Sequence, residues 1–280
     1  MPSFATPDPI SVTARVYAGS LRFSAGDRAD TVVDVRPRDP KKDLDVRAAD
    51  QTTVTYAGGV LTVTTPKANL LGRGGTVDVV VELPEGSAVD VTGSAVDLLG
   101  EGRLGEVRGK TTVGGTRLDT TGPLRLEVSH GSVTVDRVAG AAEITSSSGS
   151  IRVGTVDGPA VLKNSHGTTA VGTVTGELRV SGAHGGVDIG CAEASVTGTT
   201  THGHLRVAEV SSGEVHLETS HGPVEIGIRE GVAAWVDVRS HRGLVRNTLA
   251  ASDAPQGTEG TVKVHARTTW GNVDILRARH

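Results

Sequence analysis

A histidine that directly precedes a glycine recurs through the second half of the chain. Ser-His-Gly occurs at 129–131, 165–167 and 220–222, Ala-His-Gly at 183–185 and Thr-His-Gly at 201–203. Imidazole side chains bind metals, relay protons and change charge between pH 5 and 8. At a constant spacing, such histidines also mark a turn that recurs in every unit of a repeat protein. The strands and turns that carry the histidines decide which of these roles applies.

The glycines that follow the histidines define a repeat. The first five members of the series are 18 residues apart, and the later intervals are 19, 21 and 28. We call these residues the corner glycines, and we predict that each marks a corner of the fold. They are Gly131, Gly149, Gly167, Gly185, Gly203, Gly222, Gly243 and Gly271.

Aliphatic residues alternate with polar residues between successive corner glycines. Val133 and Val135 follow Gly131, and Ala142 and Ile144 precede the next corner. Alternation with a period of two, bounded by glycine, is typical of β-strands, so each unit is predicted to hold two short strands joined by a bend. One such unit cannot bury its apolar face alone, whereas stacked units form a continuous core.

The sequence therefore predicts an all-β fold, a single-stranded parallel β-solenoid (β-helix) with coils of about 18 residues, preceded by an antiparallel β cap region. We assign residues 1–90 to the N-terminal cap region and 91–280 to the solenoid repeat domain, whose C-terminal cap strands begin at about 244 and run to 280. A left-handed helix of hexapeptides also has 18-residue coils, but it requires an apolar residue at every sixth position, which this sequence lacks.

Both ends depart from the 18-residue period. Residues 11–39 are predicted to form a hairpin and a further strand, and residues 51–67 a second hairpin that turns at Ala57-Gly58-Gly59. The final strands are predicted over 261–276. Trp235 and Trp270 are expected to plug the C-terminal end.

Composition narrows the function classes. The net charge is -4 and no stretch concentrates Lys and Arg, which argues against a nucleic-acid partner. The opening residues show no signal-peptide pattern, and no run of about 18 apolar residues predicts a membrane span. The single cysteine, Cys191, fits a reducing compartment. We expect a cytoplasmic protein, and surface display is not supported.

Stacked coils are expected to align the histidines at intervals of about 4.8 Å, with His241 just beyond the column. One interpretation is that each histidine adopts a left-handed or turn conformation, with the preceding Ser or Thr bonding the turn. A second is a Zn or Ni site of modest affinity, and a third is a pH sensor. The candidate metal ligands are His166, His184, His202 and His221.

No catalytic residue set is predicted. The column three residues after each corner glycine mixes charges of both signs, as a solvated face does. Paired carboxylates for glycoside hydrolysis would need acids on adjacent coils, and none is expected beside Asp188. Cys191 is expected to pack rather than to react. The outward column reads Thr134, Arg152, Ala170, Asp188, Arg206, Glu225 and Arg246.

Several stretches resemble one bacterial family. The segments GRGGTVDVVVELPEGS (72–87), GEVRGKTT (105–112) and HARTTWGNVDI (265–275), together with the repeat, are similar to the β-strand-repeat proteins of the DUF4097 type, often labelled putative adhesins. The resemblance covers nearly the whole chain. It implies a β-solenoid of unknown biochemical function, without a known catalytic residue set. Family members usually carry Asn, Ala or Gly where this chain has His before the corner glycine.

These observations predict a non-catalytic β-solenoid that acts as a protein-binding, scaffold or adhesin-like surface. The alternatives are a self-polymerising scaffold like the bactofilins and a polysaccharide-active β-helix enzyme with its site in the loop at 249–260 or in a groove of the cap. We expect a protein partner and no cofactor apart from Zn or Ni on the histidines. The chain is expected to be a monomer, or a homo-oligomer joined end to end or face to face.

Overall fold

The repeat forms coils of parallel β-strands. The computed structural model, which describes residues 1–66, 74–249 and 261–278, confirms an all-β parallel solenoid with an antiparallel cap. The chain divides into two compact units, Met1–Ala139 and Gly140–His280. In the described ranges no helix is long and apolar enough to cross a bilayer. Nearly all of the loop expected at 249–260 lies outside the described residues.

The first unit combines antiparallel and parallel pairing. β1 pairs antiparallel with β3, β3 with β6, and β4 with β5, while β2 pairs in parallel with β5, β6 and β7. The elements are β1 (Ser3–Ala5), β2 (Ser11–Gly26), β3 (Asp30–Pro37), α1 (Asp43–Asp50), β4 (Thr53–Ala57), β5 (Val60–Thr64), β6 (Val77–Pro84), β7 (Ala88–Arg103), β8 (Val107–Val113), β9 (Thr116–Thr121), β10 (Leu124–His130) and β11 (Val133–Val138).

The hairpin predicted within 11–39 is wrong. β2 is one 16-residue strand that bends at Gly19, where φ is +139°. A Cβ on Gly19 would lie 1.7 Å from the carbonyl oxygen of Val77, so this glycine allows a close approach between strands rather than a reversal of the chain. The second hairpin is confirmed, because Gly58 and Gly59, with φ values of +57° and +77°, join β4 to β5.

The helix α1 was not predicted from the sequence. It is only eight residues long, which is too short for a clear helical period of apolar residues. Its buried Asp45 accepts hydrogen bonds from the backbone N–H groups of Asp39 (3.2 Å) and Thr76 (2.8 Å). A carboxylate that looked like ordinary surface charge therefore fixes the chain on both sides of the helix.

In the second unit each coil contributes two strands, and equivalent strands pair in parallel one coil apart. Ala160 lies opposite Leu178, for example, 18 residues further on. The strands are β12 (Ala142–Ser148), β13 (Ile151–Val156), β14 (Ala160–His166), β15 (Thr169–Val174), β16 (Leu178–His184), β17 (Val187–Ala192), β18 (Val196–His202), β19 (Leu205–Val210), β20 (Gly213–His221), β21 (Val224–Ile228), β22 (Ala233–Arg242), β23 (Val245–Asn247), β24 (Thr261–Trp270) and β25 (Val273–Arg277).

The alternating apolar residues form a narrow core inside the coils. In the second unit the strands before each corner glycine bury positions such as Ile144, Leu162 and Val180, and the strands after it bury Ile151 and Val153. A third apolar residue in each coil, among them Val156, Val174 and Val210, is also fully buried. Small aliphatic side chains fill this interior, which explains why so few aromatic residues are needed.

Chain order and spatial order differ at the C-terminal end. β24 lies between β20 and β22, and β25 lies between β21 and β23. The last strands of the chain are therefore internal, and β22 and β23 form the outermost described coil. Arg277 secures this insertion, because its Nη1 donates to the carbonyl oxygens of Arg229 (3.0 Å) and Val232 (2.8 Å).

The expectation that the two tryptophans plug this end is wrong. Trp235 and Trp270 keep 54% and 46% of their surface exposed. Their positions in the strands explain this, because Trp235 lies opposite the exposed Lys263, and Trp270 lies opposite the exposed His221. Both indoles therefore stand on the outer surface of the coil.

Candidate functional site: an exposed histidine ladder

Four histidines stack on one another along a corner of the second unit. Each ends its strand, and the strand register places them opposite one another. The distances between successive ring centroids are 5.1, 4.9 and 4.7 Å, and the angles between ring planes are 23°, 18° and 7°. All four side chains are exposed. We call this group the histidine ladder; its members are His166, His184, His202 and His221.

The histidine ladder continues into a tryptophan and an arginine. The ring of Trp270 is nearly parallel to that of His221, at 8° and 6.2 Å between centroids. The guanidinium carbon of Arg242 lies 4.2 Å from the centroid of the Trp270 ring, a cation–π arrangement. His241 does not join the column, because Arg242 is the residue opposite Trp270.

The sequence could not reveal this extension by counting residues, because it depends on the insertion of β24 beside β20. The signal in the sequence is the position of Trp270 directly before a corner glycine, where five of the earlier coils carry histidine. The exposed indole of Trp270 excludes the end plug predicted from the same position.

The corner conformation belongs to the glycines and not to the histidines. Among the described residues no residue other than glycine has a positive φ, so the expectation of left-handed histidines is wrong. A Cβ on Gly203 would lie 2.0 Å from the carbonyl oxygen of Gly185, so the stacking leaves no room for a side chain. The corner glycines with φ between +128° and +153° are Gly131, Gly149, Gly167, Gly185, Gly203, Gly222 and Gly271; Gly243 is not among them.

Inner polar side chains hold the corner from inside the coil. Thr219, Thr268 and Ser240 donate from their hydroxyl groups to the corner-glycine carbonyls of Gly203 (3.2 Å), Gly222 (2.9 Å) and Gly271 (2.7 Å). In each case the acceptor belongs to the adjacent coil. At these three corners the bonding hydroxyl thus belongs to an inward-facing residue three positions before the glycine, and not to the Ser or Thr directly before a ladder histidine, as predicted.

Asn164 takes the same inner position in an earlier coil. Its Nδ2 donates to the carbonyl oxygens of Gly149 (3.0 Å) and Thr168 (3.3 Å), and the side chain is 3% exposed. The bond to Gly149 joins one coil to the next and the bond to Thr168 spans the corner itself, so the backbone under the histidine ladder is fixed independently of the rings.

The stacking limits what the imidazoles can coordinate. The nitrogen lone pairs lie in the ring planes, so nearly parallel rings direct them side by side rather than toward a common point. Within the described ranges no group of three His, Cys, Asp or Glu side chains is placed to hold a metal ion. His166 Nδ1 instead lies 3.4 Å from the carbonyl oxygen of Ser147. Zinc or nickel binding stays a prediction for calorimetry.

The outward charged column contains one pair of neighbouring carboxylates that was not predicted, at Glu225 rather than at Asp188. Glu225 lies opposite Asp274, with Arg206 on one side of the pair and Arg246 on the other. Arg206 Nε donates to Glu225 at 3.1 Å. Two carboxylates do therefore lie on adjacent coils, because β25 is inserted between β21 and β23. Both are partly exposed on an outer face, and each has an arginine opposite it on its other side.

Cys191 lies in a setting that suppresses thiolate formation. Its side chain is half-buried. Burial is the main reason why the pKa of the thiol is raised above its usual range, and the nearby carboxylate of Glu209 is the second reason. Arg229, ion-paired with Glu209, approaches the sulfur at 4.0 Å and opposes this shift only in part. A thiol of raised pKa is a poor nucleophile, in line with a packing role.

No protein-family model matches the chain, and no curated protein does. Similar solved structures include a putative adhesin from Parabacteroides merdae (13% identity, 80% of this chain and 94% of that one, TM-score 0.46) and a putative adhesin from Bacteroides fragilis (9% identity, 98% and 95%, TM-score 0.34). A putative lipid binding protein from Parabacteroides distasonis is 12% identical, with a TM-score of 0.28, and the match covers 99% of this chain and 96% of that one. Because the scores lie below 0.5, no function is transferred from them.

Proposed function

We propose that this chain is a non-catalytic β-solenoid that binds a protein partner through the histidine ladder and its extension to Trp270 and Arg242. The observation that carries the proposal is the continuous stack of exposed rings at 4.7 to 5.1 Å, closed by a tryptophan and a guanidinium. The cytoplasm is the proposed compartment, and membership of the DUF4097 family belongs to the same proposal.

The chemistry of the stripe supports protein binding. Aromatic residues and Arg are enriched in protein–protein interfaces, and Trp and Arg are over-represented among the residues that dominate binding energy. In a chain with only 2% aromatic residues, the placement of Trp270 at the end of the ring stack concentrates such groups on one corner. Stacked imidazoles offer flat edges with hydrogen-bonding nitrogens along a line of about 15 Å, at about 4.8 Å per coil.

Rigidity also supports this proposal. The corner glycines approach one another too closely for any other residue, and the inner hydroxyls of Thr219 and Thr268 bond to their carbonyl groups. A surface that is already ordered loses less conformational entropy on binding. The histidine ladder is therefore a preorganised stripe rather than a set of independent side chains.

The test is quantitative affinity capture with the full-length chain, from a lysate of the organism that encodes it. We expect the wild type to capture at least one protein. A His184→Ser/His202→Ser variant should capture less than about one tenth as much of that protein, which corresponds to a loss of about 1.4 kcal/mol or more of binding free energy. Circular dichroism confirms that the variant is folded.

The matched control is His216→Ser, because His216 also stands on the outer side of a strand but belongs to β20 away from the corner. This variant should retain the partner at the wild-type level. The proposal fails if every protein captured by the wild type is captured equally by the folded ladder variant.

A further inference from the structure

The outermost described coil of the second unit has a core that the described residues cover incompletely. Val236 and Val238 in β22 are only half-buried, whereas Val264 and Ala266 at the corresponding positions of β24 are fully buried. Within the described part of the chain, β22 pairs with β24 alone. A strand with one free edge presents unpaired N–H and C=O groups, to which another strand can pair.

Large apolar side chains are exposed around this edge. Trp235, Leu244 and Val245 have 54%, 59% and 45% of their surface exposed. A depression of about 560 Å³ opens beside Val245, and Val238 and Arg239 also contribute to its lining. Exposed apolar residues next to an open strand edge are characteristic of an interaction surface.

Charge along β22 indicates what covers the edge. Arg239 lies opposite Arg267 of β24, and like charges on directly opposite strand positions are destabilising. Its one nearby carboxylate among the described contacts is Asp237 of the same strand, 3.6 Å away. A carboxylate supplied from the free side would therefore offset the repulsion between the two arginines.

We propose that two copies of this chain pair their β22 strands antiparallel around a twofold axis that passes through Val238. In this register Asp237 of each copy lies opposite Arg239 of the other, so two new charge pairs form. Trp235 then lies opposite the partner's His241, and Val236 opposite the partner's Ser240. The inward side chains of the two strands face the same side, as antiparallel pairing requires.

The register is specific because its neighbours are unfavourable. Residues directly opposite one another must share a face, so the pairing shifts only in steps that preserve this match. The next such register in one direction sets Asp237 opposite the partner's Asp237, and the next in the other direction sets Arg239 opposite the partner's Arg239. Both place like charges together, and only the register centred on Val238 pairs opposite charges.

The same surface patch serves both copies, so this contact closes on itself. An interface of this type yields a dimer, whereas a head-to-tail contact between different surfaces extends into a filament. The inference thus distinguishes a closed dimer from the self-polymerising scaffold considered above. Arg242 ends β22 and so borders both surfaces, but the dimer register does not involve His184 or His202, so the variants that test partner binding and those that test dimerisation are distinct.

The charge pattern gives a decisive experiment by sedimentation equilibrium on the full-length chain. The wild type should be a dimer, and Arg239→Asp and Asp237→Arg should each raise the dimer dissociation constant at least tenfold, because each sets like charges opposite each other. An equimolar mixture of the two variants should form a heterodimer, since all four facing positions then carry opposite charges. Lys163→Asp makes the same charge change as Arg239→Asp, but away from the edge, and should dimerise as the wild type does.

Several results would overturn the proposal. These are a monomeric wild type, single variants that dimerise as the wild type does, and a mixture of monomeric, folded variants that stays monomeric. If either charge variant fails to fold, cysteine cross-linking in a Cys191→Ser background tests whether the β22 strands of two copies pair. Val238→Cys must then form a disulfide-linked dimer on mild oxidation, because the position meets itself on the twofold axis, and Ala234→Cys must not.

Discussion

The corners of the coils depend on the absence of a side chain at particular glycines. The first unit shows the same close contact, because a Cβ on Gly131 would lie 1.9 Å from the carbonyl oxygen of Gly114. Histidine is free to vary at the preceding position because it is an ordinary strand residue there. The chemistry of the corner therefore resides in the histidines, and its geometry resides in the glycines.

Two adjacent glycines allow the requirement for a missing side chain to be measured, because only one of them is in close contact with a neighbouring strand. Gly114 has a φ of +138°, and a Cβ there would lie 2.0 Å from the carbonyl oxygen of Val96, whereas a Cβ on Gly115 would have 3.7 Å to its nearest neighbour. We expect Gly114→Ala to destabilise the fold by about 2 kcal/mol or more. Gly115→Ala should stay within about 0.5 kcal/mol of the wild type. Urea denaturation of both variants provides the comparison, and equal midpoints would contradict the argument.

Strands with a strict period were predictable, and elements without one were not. The interior positions of β13 and β14, such as Ile151 and Leu162, follow from alternation bounded by glycine, because that pattern has only one way to bury its apolar face. The bend of β2 at Gly19 and the helix α1 break the period. Their stability comes from non-local contacts such as the bond of Asp45 to Thr76, which no local pattern records.

The histidine ladder was predictable in part for the same reason. A constant step of 18 residues fixed which histidines are neighbours, since parallel strands pair in register. The insertion of β24 and β25 was not predictable, because nothing in the order of residues shows that a later strand enters between two earlier ones. Trp270 beside His221 and Asp274 beside Glu225 were both missed for this single reason.

The inner polar column offers a matched pair of substitutions at the level of the strands. Thr200 and Thr219 occupy equivalent positions in β18 and β20. The buried hydroxyl of Thr219 donates to the carbonyl oxygen of Gly203, whereas the buried hydroxyl of Thr200 has no partner. We expect Thr219→Val to cost about 1 kcal/mol and Thr200→Val to be neutral or stabilising by up to about 1 kcal/mol. Chemical denaturation measures both, and a reversed order would refute the assigned bonds.

At the scale of the whole molecule, many weak and regular contacts repeat along the coils. Each coil contacts mainly its neighbours, so a change that recurs in every coil accumulates along the stack. Protonation of the histidine ladder is such a change, because it places like charges about 5 Å apart in a column that ends, beyond Trp270, at the cation of Arg242. Each adjacent pair then repels by about 1 kcal/mol in a water-like dielectric.

The pH-sensor hypothesis leads to a prediction for thermal unfolding. On lowering the pH from 7 to 5, the wild type should lose several degrees more of its melting temperature than a His166→Asn/His184→Asn/His202→Asn variant. The sign follows because histidine in general gains a proton as the pH falls from 8 to 5, and protonated neighbours in one column repel each other. Differential scanning calorimetry at both pH values makes the comparison. Equal losses in the two proteins would remove any role of the histidine ladder in sensing acid.

The central claim is that the 18-residue step stacks the histidines one coil apart. It is tested most directly by cysteine pairs in a Cys191→Ser background. Opposed positions on adjacent coils fall within the Cα separation of a disulfide, about 4.4–6.8 Å, and positions two coils apart do not. His184→Cys/His202→Cys should therefore form an internal disulfide on mild oxidation, while His166→Cys/His202→Cys should keep two free thiols. A folded protein in which the first pair stays reduced, or the second pair closes, would contradict the account.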